Sequence, residues 1–468
     1  MKTINSIIIA LVISTNALAQ TPISFQTFQS YAIGSQPEIV AIGDLNNDNL
    51  NDVVLGTSAS FPSDSLYDNK IFVFQQNASG ILNPFVKYDG RYIKTIDVAD
   101  VNNDLRNDVI ISFGDSIGIL YQNSSGTLDP LLAYYSGTNT DAMKAGDLNS
   151  DGLTDIATGH WQSNYIRVFY QQTAGGFTSS TYSITAAGYD EIEIADATGD
   201  GKNDVILMRG QTFSIENIAI FPQDPAGGLL PPIFNDLGNI NTKGVAVGDV
   251  NNDGANDIVV THGGNQPNTF ISIWLQNDPS GNPVTYPCYD APQSVEIADL
   301  NCDGLKDVIV ANGGWMNISV YAQNTSGTLN PYQLFPTPYS PYKPQSLAVG
   351  DINDDGLRDV VLAGQTSQSL VVLYNNTSCT PNSVEENTNE NFPIVFPNPN
   401  NGIFNIQLYN DKSLKEISIQ NIIGETVYRA KTFDIELKID VGECNTGVYF
   451  LYIRTKNESS ANKIFITR

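Results

Sequence analysis

The residues best placed to do chemistry in this 468-residue chain are aspartates that recur at fixed offsets. A nine-residue stretch, clearest as Asp147-Leu-Asn149-Ser-Asp151-Gly152-Leu-Thr-Asp155, occurs seven times. Its positions 1, 3, 5 and 9 carry oxygen-bearing side chains. These are Asp44, Asn46, Asp48 and Asp52; Asp100, Asn102, Asp104 and Asp108; Asp147, Asn149, Asp151 and Asp155; Asp196, Thr198, Asp200 and Asp204; Asp249, Asn251, Asp253 and Asp257; Asp299, Asn301, Asp303 and Asp307; Asp351, Asn353, Asp355 and Asp359. Hard cations such as calcium take about six to eight oxygen ligands, and carboxylates alternating with a neutral amide supply them without excessive self-repulsion. Gly at position 6 allows a tight turn with φ > 0, which points the carbonyl of position 7 inward. One such cluster would read as a solvated turn. Recurrence at constant offsets makes the expected ligand Ca²⁺, up to seven ions, one per loop. Asn49 and Leu105 stand in for Gly in copies one and two, and Thr198 replaces Asn in copy four, so copies two and four are expected to bind weakest.

The elements that position these loops are strands. The first eight residues resemble an EF-hand loop, but no Glu stands at position 12 and an apolar run starts at position 10, as in Val308-Ile309-Val310. Successive first aspartates lie 56, 47, 49, 53, 50 and 52 residues apart, the period of a repeat architecture. Each repeat reads as four short strands, with a polar Gln-Asn-x-Ser-Gly turn after the third in several copies, as at Gln76–Gly80 and Gln323–Gly327. The last repeat lacks a fourth strand, and an unassigned segment, Ile23–Phe28, precedes the first. That segment is expected to complete the last blade and close a ring. The fold class is therefore all-β: a seven-bladed β-propeller over residues 20–379, then a linker over 380–391 and a small C-terminal β-sandwich over 392–468. The loop and turn motifs resemble the FG-GAP/VCBS repeats of integrin-α-like propellers. That resemblance implies calcium cages on one face of the disc and ligand recognition on the other.

Met1-Lys2, the apolar run Ile7–Ile13 and Ala17-Leu18-Ala19 describe a secretory signal peptide over residues 1–19. The net charge is −27, and positions 1, 5 and 9 of the loops supply 21 of the acidic residues, three in each of seven copies. This balance argues against nucleic acid as a partner, since no basic patch faces a phosphate backbone. Four cysteines are too few for a disulfide scaffold; Cys288 with Cys302 is a candidate bridge, although spacing leaves the pairing open. Near the C-terminus, Phe396-Pro-Asn-Pro-Asn-Asn-Gly402, Gly424-Glu-Thr-Val427, Gly447-Val-Tyr-Phe450 and Lys463-Ile-Phe-Ile466 are similar to the sorting domain of type IX secretion cargo in Bacteroidota. The implied partner is that secretion machinery, and the implied location is outside the outer membrane or on the cell surface.

Loops between strands two and three, and between blades, share the face opposite the aspartates. His160, Trp161, Tyr165, His262 and Trp315 fall there, with Tyr92, Tyr189, Tyr289 and Tyr342 in inter-blade connections. Aromatic groups so placed suit a glycan or a protein ligand. No nucleophile elbow, zinc-protease helix or nucleotide-binding glycine pattern is present, so the reading is a binding or adhesion module rather than an enzyme. The alternatives are a polysaccharide lyase or glycosidase built on a carboxylate pair, and a passive surface component.

Overall fold

A computed structural model of the chain describes residues 21–57, 69–185, 188–209, 217–236, 241–278, 281–338, 341–343, 345–379, 394–396, 400–408, 414–421, 426–442, 444–455 and 459–466. The expected signal peptide and linker, and the motif positions 397–399 and 424–425, lie outside the described residues. Every regular element among the described residues is a β-strand, and the chain divides into two compact units, Met1–Cys379 and Thr380–Arg468.

The first unit is a seven-bladed propeller of four-stranded antiparallel sheets. The first strands of blades one to seven are Pro37–Gly43, Thr95–Ala99, Thr140–Gly146, Tyr189–Ala195, Thr242–Gly248, Pro292–Ala298 and Leu347–Gly350. Each neighbours the next, and the first touches the last, so they ring a central axis. The second strands, among them Asp52–Thr57, Asp155–His160 and Asp307–Asn312, are buried along their whole length. A strand covered on both faces needs a continuous apolar run rather than alternation, which Val53-Val54-Leu55 and Val360-Val361-Leu362 provide. Successive blades pack through these residues: Val54, Ile71 and Val73 of blade one meet Ile96, Val109 and Ile111 of blade two in one core. Each such side chain contributes about 1.5–3 kcal/mol by leaving water.

Ring closure occurs in blade seven, where Leu347–Gly350, Asp359–Gly364 and Ser369–Leu373 are joined by an N-terminal strand. That strand is Gln29–Ala32, registered from Gln29 opposite Val372 to Ala32 opposite Ser369. The expected Ile23–Phe28 makes only a single bridge, Phe25 with Asn375. The reason is hydrophobic: Ile23 is buried in the core between blades six and seven and Phe25 and Phe28 pack half-buried against it, leaving Gln29–Ala32 to form the outer edge.

The disulfide is not the candidate Cys288–Cys302 pair. Cys302 bonds to Cys379, while Cys288 is a buried free thiol and Cys444 is also free. Cys302 lies in the aspartate loop of blade six, whereas Cys288 directly follows the fourth strand of blade five, Val284–Pro287, at the other end of the sheet. Cys379, beyond the last propeller strand, comes within 5.6 Å of Cys302 between Cα atoms.

The second unit is a sandwich of two sheets. One holds Ile394–Phe396, Ile403–Gln407 and Glu436–Asp440; the other holds Thr426–Thr432, Lys415–Asn421, Gly447–Arg454 and Ser459–Ile466 in that spatial order. Alternate residues, including Phe404, Ile406, Ile417, Ile419, Leu451 and Ile453, face inward to form its core.

The disulfide spans 77 residues, and closing a loop of that size typically stabilises a fold by about 2–4 kcal/mol. Paired Cys302→Ser and Cys379→Ser substitutions are expected to lower the unfolding free energy by about that amount, read from the denaturant midpoint. An unchanged midpoint would mean the bridge adds nothing to the ring.

Candidate functional site

The loop of blade three shows how nine residues fold on themselves. Asp147 Oδ1 accepts the amides of Asn149 and Ser150 at 3.2 and 2.7 Å, and its Oδ2 accepts that of Gly152 at 3.0 Å. Asn149 Oδ1 accepts the Asp151 amide at 2.9 Å, and Asp151 Oδ1 accepts the Leu153 amide at 2.8 Å. Position 6 is left-handed, with Gly152 at φ +82°, as the turn requires. Position 4 is left-handed too, at Ser150, Cys302 and Asp354 among others, which Gly spacing alone did not announce.

Position 9 has a separate task. Asp155 is fully buried, with Oδ2 accepting the Leu148 amide at 3.0 Å and Oδ1 the Gln171 amide at 2.9 Å. Asp52, Asp108, Asp204, Asp257, Asp307 and Asp359 hold the equivalent pair of amides in the other blades. Each carboxylate thus ties the start of its loop to the end of the third strand. Burial pushes Asp52, Asp108, Asp155, Asp307 and Asp359 up to about 7, and Asp257 to about 6, against the opposing pull of those amides.

A cation in a loop would therefore draw chiefly on the carboxylates of positions 1 and 5, the amide oxygen of position 3 and a backbone carbonyl. No cluster of three or more acidic, His or Cys side chains is drawn together as a metal site among the described residues. Loops one, three, five, six and seven keep the Asp, Asn, Asp set on the outer side of the hairpin, with the position 3 oxygen on the position 5 amide. This donor set fits a hard cation. Loop four is less suited: Thr198 directs both its amide and its hydroxyl to Asp204. Loop two does not fit, because the Arg106 guanidinium sits on the Asp104 carboxylate.

Neighbouring loops are joined into a belt. Asn51 Nδ2 donates to the Asp351 carbonyl at 2.9 Å across the ring closure, Asn203 to the Asp147 carbonyl at 3.3 Å, and Asn256 to the Asp196 carbonyl at 3.1 Å. The Gln-Asn-x-Ser-Gly turn of one blade lies on the loop of the preceding blade. A Cβ on Gly80 would overlap the Asn353 carbonyl oxygen, and one on Gly327 would stand 2.5 Å from that of Asn251. The turn's Gly thus serves its neighbour's loop as well as its own φ of +70° or +74°.

On the opposite face, the first strands begin around a cavity of about 300 Å³ to which blades two to seven all contribute. Tyr92 and Tyr342 stand at its rim, 41% and 59% exposed. Lys94 is ion-paired with Asp141, Lys343 with Glu38 at 3.2 Å, and the Lys243 side chain also lines the wall. Farther along the axis, a second cavity of about 170 Å³ holds Asp97, Lys144, Glu193 and Glu296. Lys144 and Glu193 lie 3.4 Å apart, and Glu193 holds the Lys144 ammonium in its charged form.

The expected ligand residues divide. His160 is 1% exposed, with Nδ1 against the Thr138 carbonyl at 3.2 Å, Nε2 against Thr158 Oγ1 at 3.3 Å, and its ring on Tyr165 at 4.9 Å. His262 is buried as well, and burial pushes both histidines down to about 4. Both rings and the Tyr189 side chain belong to the blade interior rather than to a ligand face. Each histidine ends a second strand, and these strands are covered on both sides. Trp315 is 41% exposed and meets Tyr289 edge-on at 5.7 Å, while Trp161 follows blade three's second strand and is half-buried. The axial cavity itself escaped sequence reasoning. Its signal was the charged residue near the start of several first strands, such as Lys94, Asp141, Glu191 and Lys243.

The belt gives a direct test. Gly80→Ala should cost about 1–3 kcal/mol, from the left-handed backbone and the overlap with the Asn353 carbonyl. Gly254→Ala, where a Cβ meets nothing within 4 Å, should cost only the backbone part, about 1 kcal/mol. Equal unfolding free energies for the two variants would show that the turn bears no load on the neighbouring loop.

Family comparisons place these features. The FG-GAP-like repeat matches residues 147–207, 249–310 and 299–362, and the secretion system C-terminal sorting domain matches residues 394–467. Among curated proteins none matches the sequence. Solved structures with distant likeness include an Agrocybe aegerita lectin, described for recognition of non-reducing terminal N-acetylglucosamine. It is 17% identical, with 65% of this chain and 81% of that chain covered and a TM-score of 0.45. Another is PorZ, a surface component of the type IX secretion system of Porphyromonas gingivalis, at 15% identity and a TM-score of 0.44; 89% of this chain spans 58% of that one. A third, from Desulfotomaculum acetoxidans, is 14% identical, covering 66% of this chain and 92% of that chain, with a TM-score of 0.46. No helix among the described residues is long and apolar enough to cross a membrane. The repeated loop on its propeller and the sandwich that follows identify the chain as a protein of FG-GAP-like repeats carrying a C-terminal sorting domain of the type IX secretion system, which implies export to the cell surface.

Proposed function

We propose that the protein is a calcium-stabilised binding module at the cell surface, and that its ligand, an extracellular glycan or protein, docks at the axial mouth opposite the aspartate loops. The observation that carries this reading is the convergence of six blades on one cavity lined by both aromatic and charged side chains. Its volume lies at the lower end of the range for small-molecule sites. Exposed Tyr92 and Tyr342 offer faces for a sugar ring or a partner's apolar anchor, and the acidic partners of the ion pairs beside them, Asp141 and Glu38, stand on first strands. Calcium acts at a distance in this scheme. Held by positions 1, 3 and 5 of the fitting loops, it offsets carboxylate repulsion and stiffens the belt that keeps the blades in register.

Retention of the full chain on a glycan array, without appearance of new polymer ends, is the expected result. Tyr92→Ala with Tyr342→Ala should weaken retention at least about tenfold while leaving the melting temperature unchanged. New reducing or unsaturated ends would instead establish a degradative enzyme.

Calcium should raise the melting temperature, since a ligand at 100 times its dissociation constant adds about 2.7 kcal/mol per site. No change on chelation would sink the calcium reading. The pH dependence has a defined sign. A carboxyl whose folded pKa is raised loses its stabilising protonated state as pH climbs from about 4 toward the value of about 7 held by Asp52, Asp108, Asp155, Asp307 and Asp359. The two buried histidines act in the opposite direction over about pH 6.5 to 4, but are outnumbered. Metal-free protein should therefore melt at lower temperature at pH 8 than at pH 5, and calcium should flatten that slope. A metal-free slope of the opposite sign would contradict it.

A further inference from the structure

We infer that the loop of blade two carries its own cation, the Arg106 guanidinium, and takes no calcium, an inference that rests on the calcium reading of the other loops. In loops three, five, six and seven the position 3 amide nitrogen donates to the outer oxygen of position 5: Asn149 to Asp151 at 3.0 Å, Asn251 to Asp253 at 3.1 Å, Asn301 to Asp303 at 3.0 Å, and Asn353 to Asp355 at 2.9 Å. Their Oδ1 atoms accept the position 5 amide.

Loop two departs at both points. Arg106 Nη2 occupies Asp104 Oδ2, the Asp104 amide keeps only the bond to Asp100 Oδ1 at 3.2 Å that loops one, five and seven make beside their bond to position 3, and Asn102 Oδ1 is buried with no hydrogen-bond partner. The guanidinium is fixed a second time, where Nε donates to the Gln122 carbonyl at 3.2 Å. Asp104 and Arg106 side chains are each only 28% exposed, so solvent screens the pair incompletely. Calcium entering here would meet a like charge on one of its required carboxylates and would have to displace both hydrogen bonds. In loops one, three, six and seven, position 7 is Leu50, Leu153, Leu305 and Leu357, which offer no such competitor. Leu105 beside it holds φ +66° and is 85% exposed.

The consequence is a loop that keeps its shape when calcium is withdrawn. Gln122, whose carbonyl receives Arg106, also sends Nε2 to the Asp44 carbonyl of loop one at 3.3 Å. Blade two thus holds its neighbour's loop by a calcium-independent contact.

The test is the number of ions bound per full chain, measured by equilibrium dialysis against Ca²⁺ alone. Arg106→Leu should bind one ion more than the wild type, and in chelator it should melt at lower temperature, a deficit that calcium removes. Arg106→Gln, which keeps a polar side chain, serves where the leucine variant folds poorly, with the same gain expected. Equal counts in wild type and variant overturn the inference while leaving calcium in the other loops. A chelated variant as stable as the wild type also overturns it. No calcium bound by either protein removes the reading of every loop, and this inference with it.

Discussion

The propeller depends on one carboxylate placed at the start of each second strand. Asp52 and its six counterparts sit out of contact with water, where an ionised group is costly unless hydrogen bonds compensate it. Two backbone amides do so in part, one from the loop that begins the hairpin and one from a residue at the end of the third strand. Three segments that are distant along the chain are thereby held at one point. A shorter or longer acid would not reach both amides at once. This geometry accounts for an invariant Asp at position 9 in every loop, whatever the remaining positions contain.

From that point the order spreads sideways. With its hairpin fixed, each loop presents carbonyls to the next blade, and Asn51, Asn203 and Asn256 clasp them. The glycine-bearing turns complete the contact by lying where no Cβ fits. Hydrogen bonds thus tie the aspartate loops of several neighbouring blades, blades seven and one among them through Asn51, and the Cys302–Cys379 bridge reinforces that face. Its regularity frees the other face to vary. There the connections differ from blade to blade, and the strand starts bring charged and aromatic side chains to the axis.

The charge pattern along the axis follows from the same division. Side chains on the first strands cannot pack against another strand on their axial side, so they face a narrow polar space. Lys94 with Asp141, Lys343 with Glu38 and Lys144 with Glu193 are paired across blades in that space. Pairing in a confined site preserves charge that would otherwise be lost to desolvation.

How much of this was legible in the chain depends on whether the deciding interaction is local. The loops, their period, the four-strand blades and the C-terminal sandwich all follow from residues near one another, because backbone sterics and hydrophobic pattern act over a few positions. The registers and partners that only packing selects did not. Ile23 and Phe25 carry an apolar pattern that suits a strand, yet the cavity between two blades took them as core, and Gln29–Ala32 became the edge. Cys302 chose Cys379 because folding places both near the aspartate face, which spacing cannot express. His160 and His262 lie in segments that read as exposed connections, but each ends a strand covered on both sides. Repetition of Asp, Asn and Gly was sufficient to determine the propeller and its loops. Which side chains meet at the axis, and which loop is filled by an arginine, was decided only by tertiary structure, since those contacts join residues whose proximity arises from closing the ring or folding a side chain back on its own loop.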